Sequence, residues 1–181
     1  MKATGVVRRM DELGRVVIPK EYRRIKRLRD GDEIEIVIDE NGELVLRKYS
    51  SVNELSFLMQ SYSLVLHQST NRPILIADSD RVIACAGIPL DECADHLVRR
   101  DIDSVFQNGT GFTAAPDKNR VFPLEDLAFE AALIFPIQGP GNSANAGYVI
   151  MLMDENGSKP TQTEVKLVEV AASFLGQQIE A

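Results

Sequence analysis

Hydrophobic and polar positions change their period several times along the 181 residues, and each change marks an element. The β-branched runs Val6–Met10 and Arg15–Ile18 flank Asp11-Glu12-Leu13-Gly14, which predicts a hairpin turning at a glycine tolerant of positive φ. Pro19 suits the opening turn of a helix, so Lys20–Leu28 is expected to be helical until Asp30-Gly31-Asp32 breaks it. Glu33–Ile38 and Glu43–Lys48 follow as strands joined through Asn41-Gly42, the dipeptide that most favours a tight hairpin. Two strands, a helix and two strands in so short a stretch bury too little surface to be stable singly. A second copy pairing with the open edges is expected, giving a symmetric dimer.

After Ser50-Ser51 the period becomes helical. Val52, Leu55, Leu58, Met59, Tyr62, Val65 and Leu66 share one stripe of a helix over Val52–Ser69, with Phe57 and Leu64 on another side. Thr161–Ile179 repeats the design, with Val165, Val168, Ala172, Leu175 and Ile179 on one stripe and Leu167, Val170, Ala171 and Phe174 on its neighbour. Both helices carry more apolar surface than one contact needs, which fits either a broad buried face or a helix seam between copies. Between them Pro73–Asp78 and Arg81–Ala86 read as strands, Leu90–Phe106 as a helical middle, and Ala131–Ile137 and Ala146–Met153 as strands around the loop Gly139-Pro140-Gly141-Asn142-Ser143. The pattern predicts two domains, 1–50 and 51–181, the second an α+β fold with an antiparallel sheet and flanking helices.

Charge separates the two parts. Residues 1–29 hold ten Lys/Arg against three acids, a balance of +7; the whole chain is −7, so the rest carries −14. A locally basic end on an acidic carrier suits a polyanion, because clustered cations release phosphate counterions whatever the net charge. At 100° per residue Lys20, Arg23, Arg24 and Arg27 fall on one side of the short helix, opposite Tyr22 and Ile25, and Arg8 and Arg15 flank the hairpin turn. Solvation of a surface helix is the plainer reading of such cations, yet Glu21 is the lone acid within it. The opening MKATGVVRRMDE lacks the apolar core of a signal peptide, no apolar run is long enough to span a membrane, and the chain is expected in the cytoplasm, associated with the nucleoid. Cys85 and Cys93 have no further Cys or His at zinc-site spacing and are expected to be reduced thiols. No metal, cofactor or catalytic residue is expected, and His67 and His96 read as isolated surface residues.

Thr4-Gly5, Arg8-Arg9, Asp11-Glu12-Leu13-Gly14-Arg15, Val16-Val17-Ile18-Pro19, Arg23-Arg24 and Gly31-Asp32 stand in the order and spacing of a known domain. In these residues Gly5–Tyr49 resembles the swapped-hairpin DNA-binding domain of AbrB-type transition-state regulators. The resemblance implies a β-rich swapped-hairpin barrel formed by two chains, and DNA contacts at Arg8, Arg9, Arg15, Arg23 and Arg24. Lys26 departs from the family, which usually has an aliphatic residue there, and Ile25 stands where a small polar residue is common. The whole architecture is similar to sporulation regulators that join this domain to a GAF-type sensor. That likeness implies a homodimer through the first domain, a homotetramer through the helices of the second, double-stranded promoter DNA read by groove shape, and a small-molecule effector of unidentified chemistry. A pocket for it is expected around Ile76–Asp78, Ala84–Ala86 and onward to Phe122. Two alternatives remain open: an antitoxin, which can share the N-terminal fold, and a GAF-type thiol redox enzyme or sensor using Cys85 and Cys93.

Overall fold

The computed structural model describes residues 5–50, 52, 55–94, 96–106, 111–115, 120–139 and 145–179. Thr4, Asn53, Glu54 and the Pro140–Ser143 part of the expected loop lie outside them. The chain divides into two compact units, Met1–Tyr49 and Ser50–Ala181.

In the first unit Asp11 builds the turn expected there. Its carboxylate accepts the backbone N–H of Leu13 at 3.0 Å and of Arg15 at 2.8 Å, and Gly14 adopts φ 74°. The arms do not continue as a ladder: after Asp11 N–H bonds the Arg15 carbonyl at 3.0 Å, neither Val6–Met10 nor Arg15–Ile18 forms a strand. Val7 stays 94% and Val17 75% exposed. The β-branched arms thus have strand composition without the ladder partners and side-chain cover that a strand needs.

Helix α1, Lys20–Ile25, starts from Pro19 and ends sooner than expected. Arg27 takes φ 54°, the Leu28 N–H reaches back to the Arg23 carbonyl at 2.7 Å and the Arg27 N–H to the Arg24 carbonyl at 3.3 Å. These paired bonds are a Schellman closure, with arginine at the left-handed position that glycine usually fills. Strands β1 (Ile34–Ile38) and β2 (Leu44–Lys48) pair antiparallel in the register Ile36↔Leu46. Asp39 organises their turn through the N–H groups of Asn41 at 2.9 Å and Glu43 at 2.8 Å. Their apolar side chains remain open, Ile38 at 73% exposure.

The second unit is built on a five-stranded antiparallel sheet of order β4-β3-β7-β6-β5, comprising β3 (Ile74–Asp78), β4 (Val82–Ala86), β5 (Phe112–Thr113), β6 (Ala131–Gln138) and β7 (Asn145–Leu152). Helices α2 (Ser56–Thr70) and α3 (Gln162–Gln178) cover one face. The strands are apolar on both sides and therefore need two covering layers. Ile74, Ile76, Val149 and Met151 pack toward the helices, and Leu75, Ala77, Tyr148, Ile150 and Leu152 join a second core with Val98, Ile102 and Leu124.

That second core explains why Leu90–Phe106 is not the expected helix. The segment contains two 3-10 turns, Leu90–Glu92 and Ile102–Val105, around an extended piece in which Leu97 bridges Arg81 and Val98 bridges Leu124. Covering the sheet with Val98 and Ile102 outweighs the weak local helical period.

Helix α3 opens with a capping box: the Thr161 hydroxyl accepts the Glu164 N–H at 3.2 Å, and the Thr161 N–H donates to the Glu164 carboxylate at 2.6 Å. Near its other end Gly176 is buried, and a Cβ there would overlap the backbone carbonyl of Gln138 in β6. Alanine ordinarily favours a helix interior over glycine, but Gly176→Ala is expected to destabilise the protein by about 1–3 kcal/mol through overpacking. Urea unfolding of the variant checks this, an unchanged midpoint being the contrary result.

Candidate nucleic-acid interface

All five arginines singled out in the sequence fall in the first unit and are exposed. Arg8 and Arg9 lie on the arm entering the Asp11 turn, Arg15 leaves it, and Arg23 and Arg24 are neighbours on α1. Arg15 is held by the turn itself, its Nε donating to Asp11 Oδ2 at 2.8 Å. The Arg15 backbone N–H, then its guanidinium, keep the Asp11 carboxyl below the ordinary carboxylate range, so this acid stays ionised and orients Arg15. Arg23 makes a looser pair with Asp30 at 3.4 Å. Arg8, Arg9 and Arg24 have no acidic partner among the described residues. An exposed ion pair contributes little in water, so a phosphate can displace either acid at small cost.

The helical stripe read from the sequence is shorter than expected. Lys20, Arg23 and Arg24 share α1, but Arg27 lies beyond the C-cap, where the chain has turned left-handed, and so leaves the stripe. Ile25 and Lys26, the departures from the family pattern, are both exposed, Lys26 as the C-cap residue. Arginine at these positions is suited to what the arrangement offers, a planar fork that grips phosphate or the acceptor edge of guanine.

In the second unit the region expected to line a pocket divides into core and cleft. Ile76, Ala77, Ala84, Cys85 and Ala86 are core residues, and Asp78 is buried accepting the N–H groups of Asp80 and Arg81. A shallow cleft of about 340 Å³ is bordered by Phe112, Arg120 and Val121 of the expected stretch, with Glu130, Met153 and Lys159 beyond it. The Arg120 Nε donates to Glu130 at 2.6 Å across it. His67 is half-buried and engaged with the Arg72 carbonyl at 2.8 Å, so it is not the isolated surface residue its surroundings in sequence suggested.

The cysteines also depart from expectation. Cys85, on edge strand β4, and Cys93, just past the first 3-10 turn, are joined in a disulfide rather than standing as separate thiols. The turn folds the chain back over the sheet, which brings their Cα atoms to 6.8 Å. No group of three or more His, Cys, Asp or Glu among the described residues could hold a metal ion, and no helix among them is long and apolar enough to cross a membrane.

Residues 54–180 match the profile of a family described as stage V sporulation protein T C-terminal, transcription factor, and residues 7–54 that of antidote-toxin recognition MazE, bacterial antitoxin. Stage V sporulation protein T of Bacillus subtilis (strain 168) is 37% identical over 192 aligned residues, covering 99% of each chain. Transition state regulatory protein AbrB of the same strain is 51% identical over 49 residues, 27% of this chain and 50% of that one. Among solved structures, a type II free methionine-R-sulfoxide reductase from Thermoplasma acidophilum superposes with a TM-score of 0.48 at 10% identity, over 71% of this chain and 94% of that one, too weak a likeness to argue from.

Proposed function

The chain belongs to the stage V sporulation protein T family of DNA-binding transcription regulators, and from that premise we propose that it grips promoter DNA with Arg8, Arg9, Arg15, Arg23 and Arg24 of a first domain completed by a second copy. The observation that carries this reading is the half-built first unit. Its hairpin arms have the right turn and no ladder, its β1–β2 pair leaves Ile36, Ile38, Leu44 and Leu46 exposed, and its cations lie within the same fifty residues. Exchange of arms between two chains would pair the free edges, cover the valines and isoleucines, and present each arginine twice.

The second domain has a central antiparallel sheet with helices on one face and irregular chain on the other, a layering that supports reading it as a GAF-type sensor. Phe57, 87% exposed, with Leu64 and Val65 on α2 and Val170 and Phe174 on α3, forms an apolar face suited to joining two dimers into a tetramer. Tyr62 and Phe174 already stack at 5.2 Å between the two helices, which braces that face. The cleft beside Arg120 and Lys159 is the place for a small effector. As a transcription factor the protein works in the cytoplasm, on the nucleoid, and regulates as a binder of DNA, not as an enzyme.

The MazE-type match reaches only residue 54, while the rest of the chain matches a transcription factor, so the antitoxin reading gains nothing from it. Binding to an A/T-rich promoter duplex, followed by fluorescence anisotropy across a salt series, tests the proposal. Five cations on each of two chains predict that log affinity falls linearly with log salt at a slope approaching about −9. A slope near zero, or light scattering that gives a monomer at micromolar concentration, would overturn it.

A further inference from the structure

We propose that Cys85 and Cys93 are a reversible thiol–disulfide pair through which the second domain senses oxidant and repositions α2, an inference that rests on reading this domain as regulatory. In a reducing compartment a disulfide between two such cysteines is a responsive one, since glutathione and thioredoxin-type dithiols reopen whatever they can reach.

The surroundings of the pair support a signal over a staple. Cys93 is 0% and Cys85 3% exposed, so both sulfurs are covered. The cover is thin, because Gly87, Pro89, Asp91 and Glu92 of the intervening loop are all exposed and its turn is a short 3-10 one, with the Glu92 N–H on the Pro89 carbonyl at 3.0 Å. Such a loop opens locally at low cost, which admits a small peroxide or a dithiol.

Helix α2 touches both the end of β4, at Cys85, and the loop, at Gly87. Gln60 donates to the backbone carbonyl of Cys85 at 2.9 Å, on the outer edge of β4. One heptad later, on the same side of the helix, His67 packs so closely on Gly87 that a Cβ there would stand 2.6 Å from the imidazole. A loop held by the disulfide and a loop released from it therefore present different supports to α2. The adjacent stripe of α2 carries Phe57 and Leu64, so the shift is delivered to the apolar face of the domain.

The chemistry balances with a hydroperoxide as oxidant. One thiolate attacks the peroxide, the O–O bond breaks, and a sulfenic acid forms with release of water or alcohol. The second thiolate attacks that sulfur, S–S forms, S–O breaks, and the hydroxide leaves as water. Two thiols thus give up two electrons and two protons, and a dithiol reverses the step by exchange.

The test uses the full chain, reduced with dithiothreitol or treated with hydrogen peroxide. Intact mass with alkylation counts the thiols, and hydrogen exchange follows residues 87–94 and α2. The expected result is two alkylatable thiols after reduction and none after peroxide, with exchange in both segments about tenfold faster in the reduced protein. Cys93→Ala and Cys85→Ala, which tolerate the loss of a small buried side chain, should show no response to peroxide. Equal exchange in the two redox states overturns the proposal, as does oxidation that produces sulfinic acid without pairing or a disulfide that dithiothreitol cannot open. Anisotropy with the promoter duplex, run in parallel, keeps the readings apart: absence of binding in both states refutes the DNA proposal, while the exchange data still decide this one.

Discussion

Arg23→Ala and Arg15→Ala are each expected to abolish measurable binding of promoter DNA at moderate salt while leaving the fold intact. In the proposed dimer the domain is presented twice, so one substitution would remove two guanidinium groups. At about 1–3 kcal/mol for each bidentate contact, affinity falls by at least about thirtyfold and by thousands if both contacts are to bases. Folding should hardly notice. Arg23 reaches only Asp30, at 3.4 Å and in solvent, and the Asp11 turn keeps its backbone bonds when the Arg15 side chain is gone. Far-ultraviolet circular dichroism and urea midpoints should match the parent, and anisotropy should not. Wild-type affinity in either variant would remove that arginine from the interface. Arg15→Lys refines the test, since it keeps the charge but loses the fork: retained binding would mark a phosphate contact and lost binding a shaped one.

Arg72→Ala is expected to be the most destabilising single change in the second domain, by about 3–5 kcal/mol. Arg72 follows α2 and is buried, and its guanidinium reaches three groups from the start of α3 and the loop before it. Nε donates to Glu164 at 2.7 Å, Nη2 to the Lys159 carbonyl at 3.1 Å, and Nη1 lies 3.6 Å from Asp154. Removing it strands Glu164, which is itself mostly covered and already committed to the α3 capping box. The sign with pH follows from the same contacts. Burial pushes the Glu164 carboxyl up, but the Thr161 N–H and Arg72 together outweigh it and hold the group below its ordinary 4.5. Asp154 is held down mainly by the Ser158 N–H, with Arg72 adding to it. Groups depressed in the folded state stabilise above their unfolded values, and that stability is lost as pH falls through the folded ones. The parent should therefore weaken steeply on acidification below the ordinary carboxylate range, whereas Arg72→Ala should start lower and fall less. Urea unfolding across an acid series measures both, and parallel curves would contradict this account.

What the sequence disclosed depended on whether local and tertiary demands agreed. β3, β4, β6 and β7 lie within a residue or two of their expected bounds because their apolar runs were long and bounded by turns. The α3 start at Thr161 was legible from the apolar stripes that begin at Val165, and the β1–β2 turn from Asn41-Gly42. Leu90–Phe106 was misread because its apolar spacing serves a sheet face, a demand visible only once Leu75, Ile150 and their neighbours are known to need cover. Arg27 hid the end of α1, since no glycine announced the left-handed turn. The disulfide was missed on grounds of compartment, which predicts an average redox state and not which two cysteines a 3-10 turn brings together. The candidate arginines were legible as a cluster, and family spacing chose among them. Only coordinates showed that Arg15 is preset by Asp11 and that Arg27 leaves the stripe.

If two copies pair over the bare valines and isoleucines of the first unit as proposed, the regulator acquires a second-order dependence on its own abundance. When synthesis is slow, a chain that meets no copy would then keep its hairpin arms open to proteases and chaperones. When synthesis rises, pairing grows with the square of concentration and shields the same residues. In that dimer the apolar surface that leaves the single chain incomplete would also sharpen the onset of regulation, turning a gradual rise in expression into a threshold.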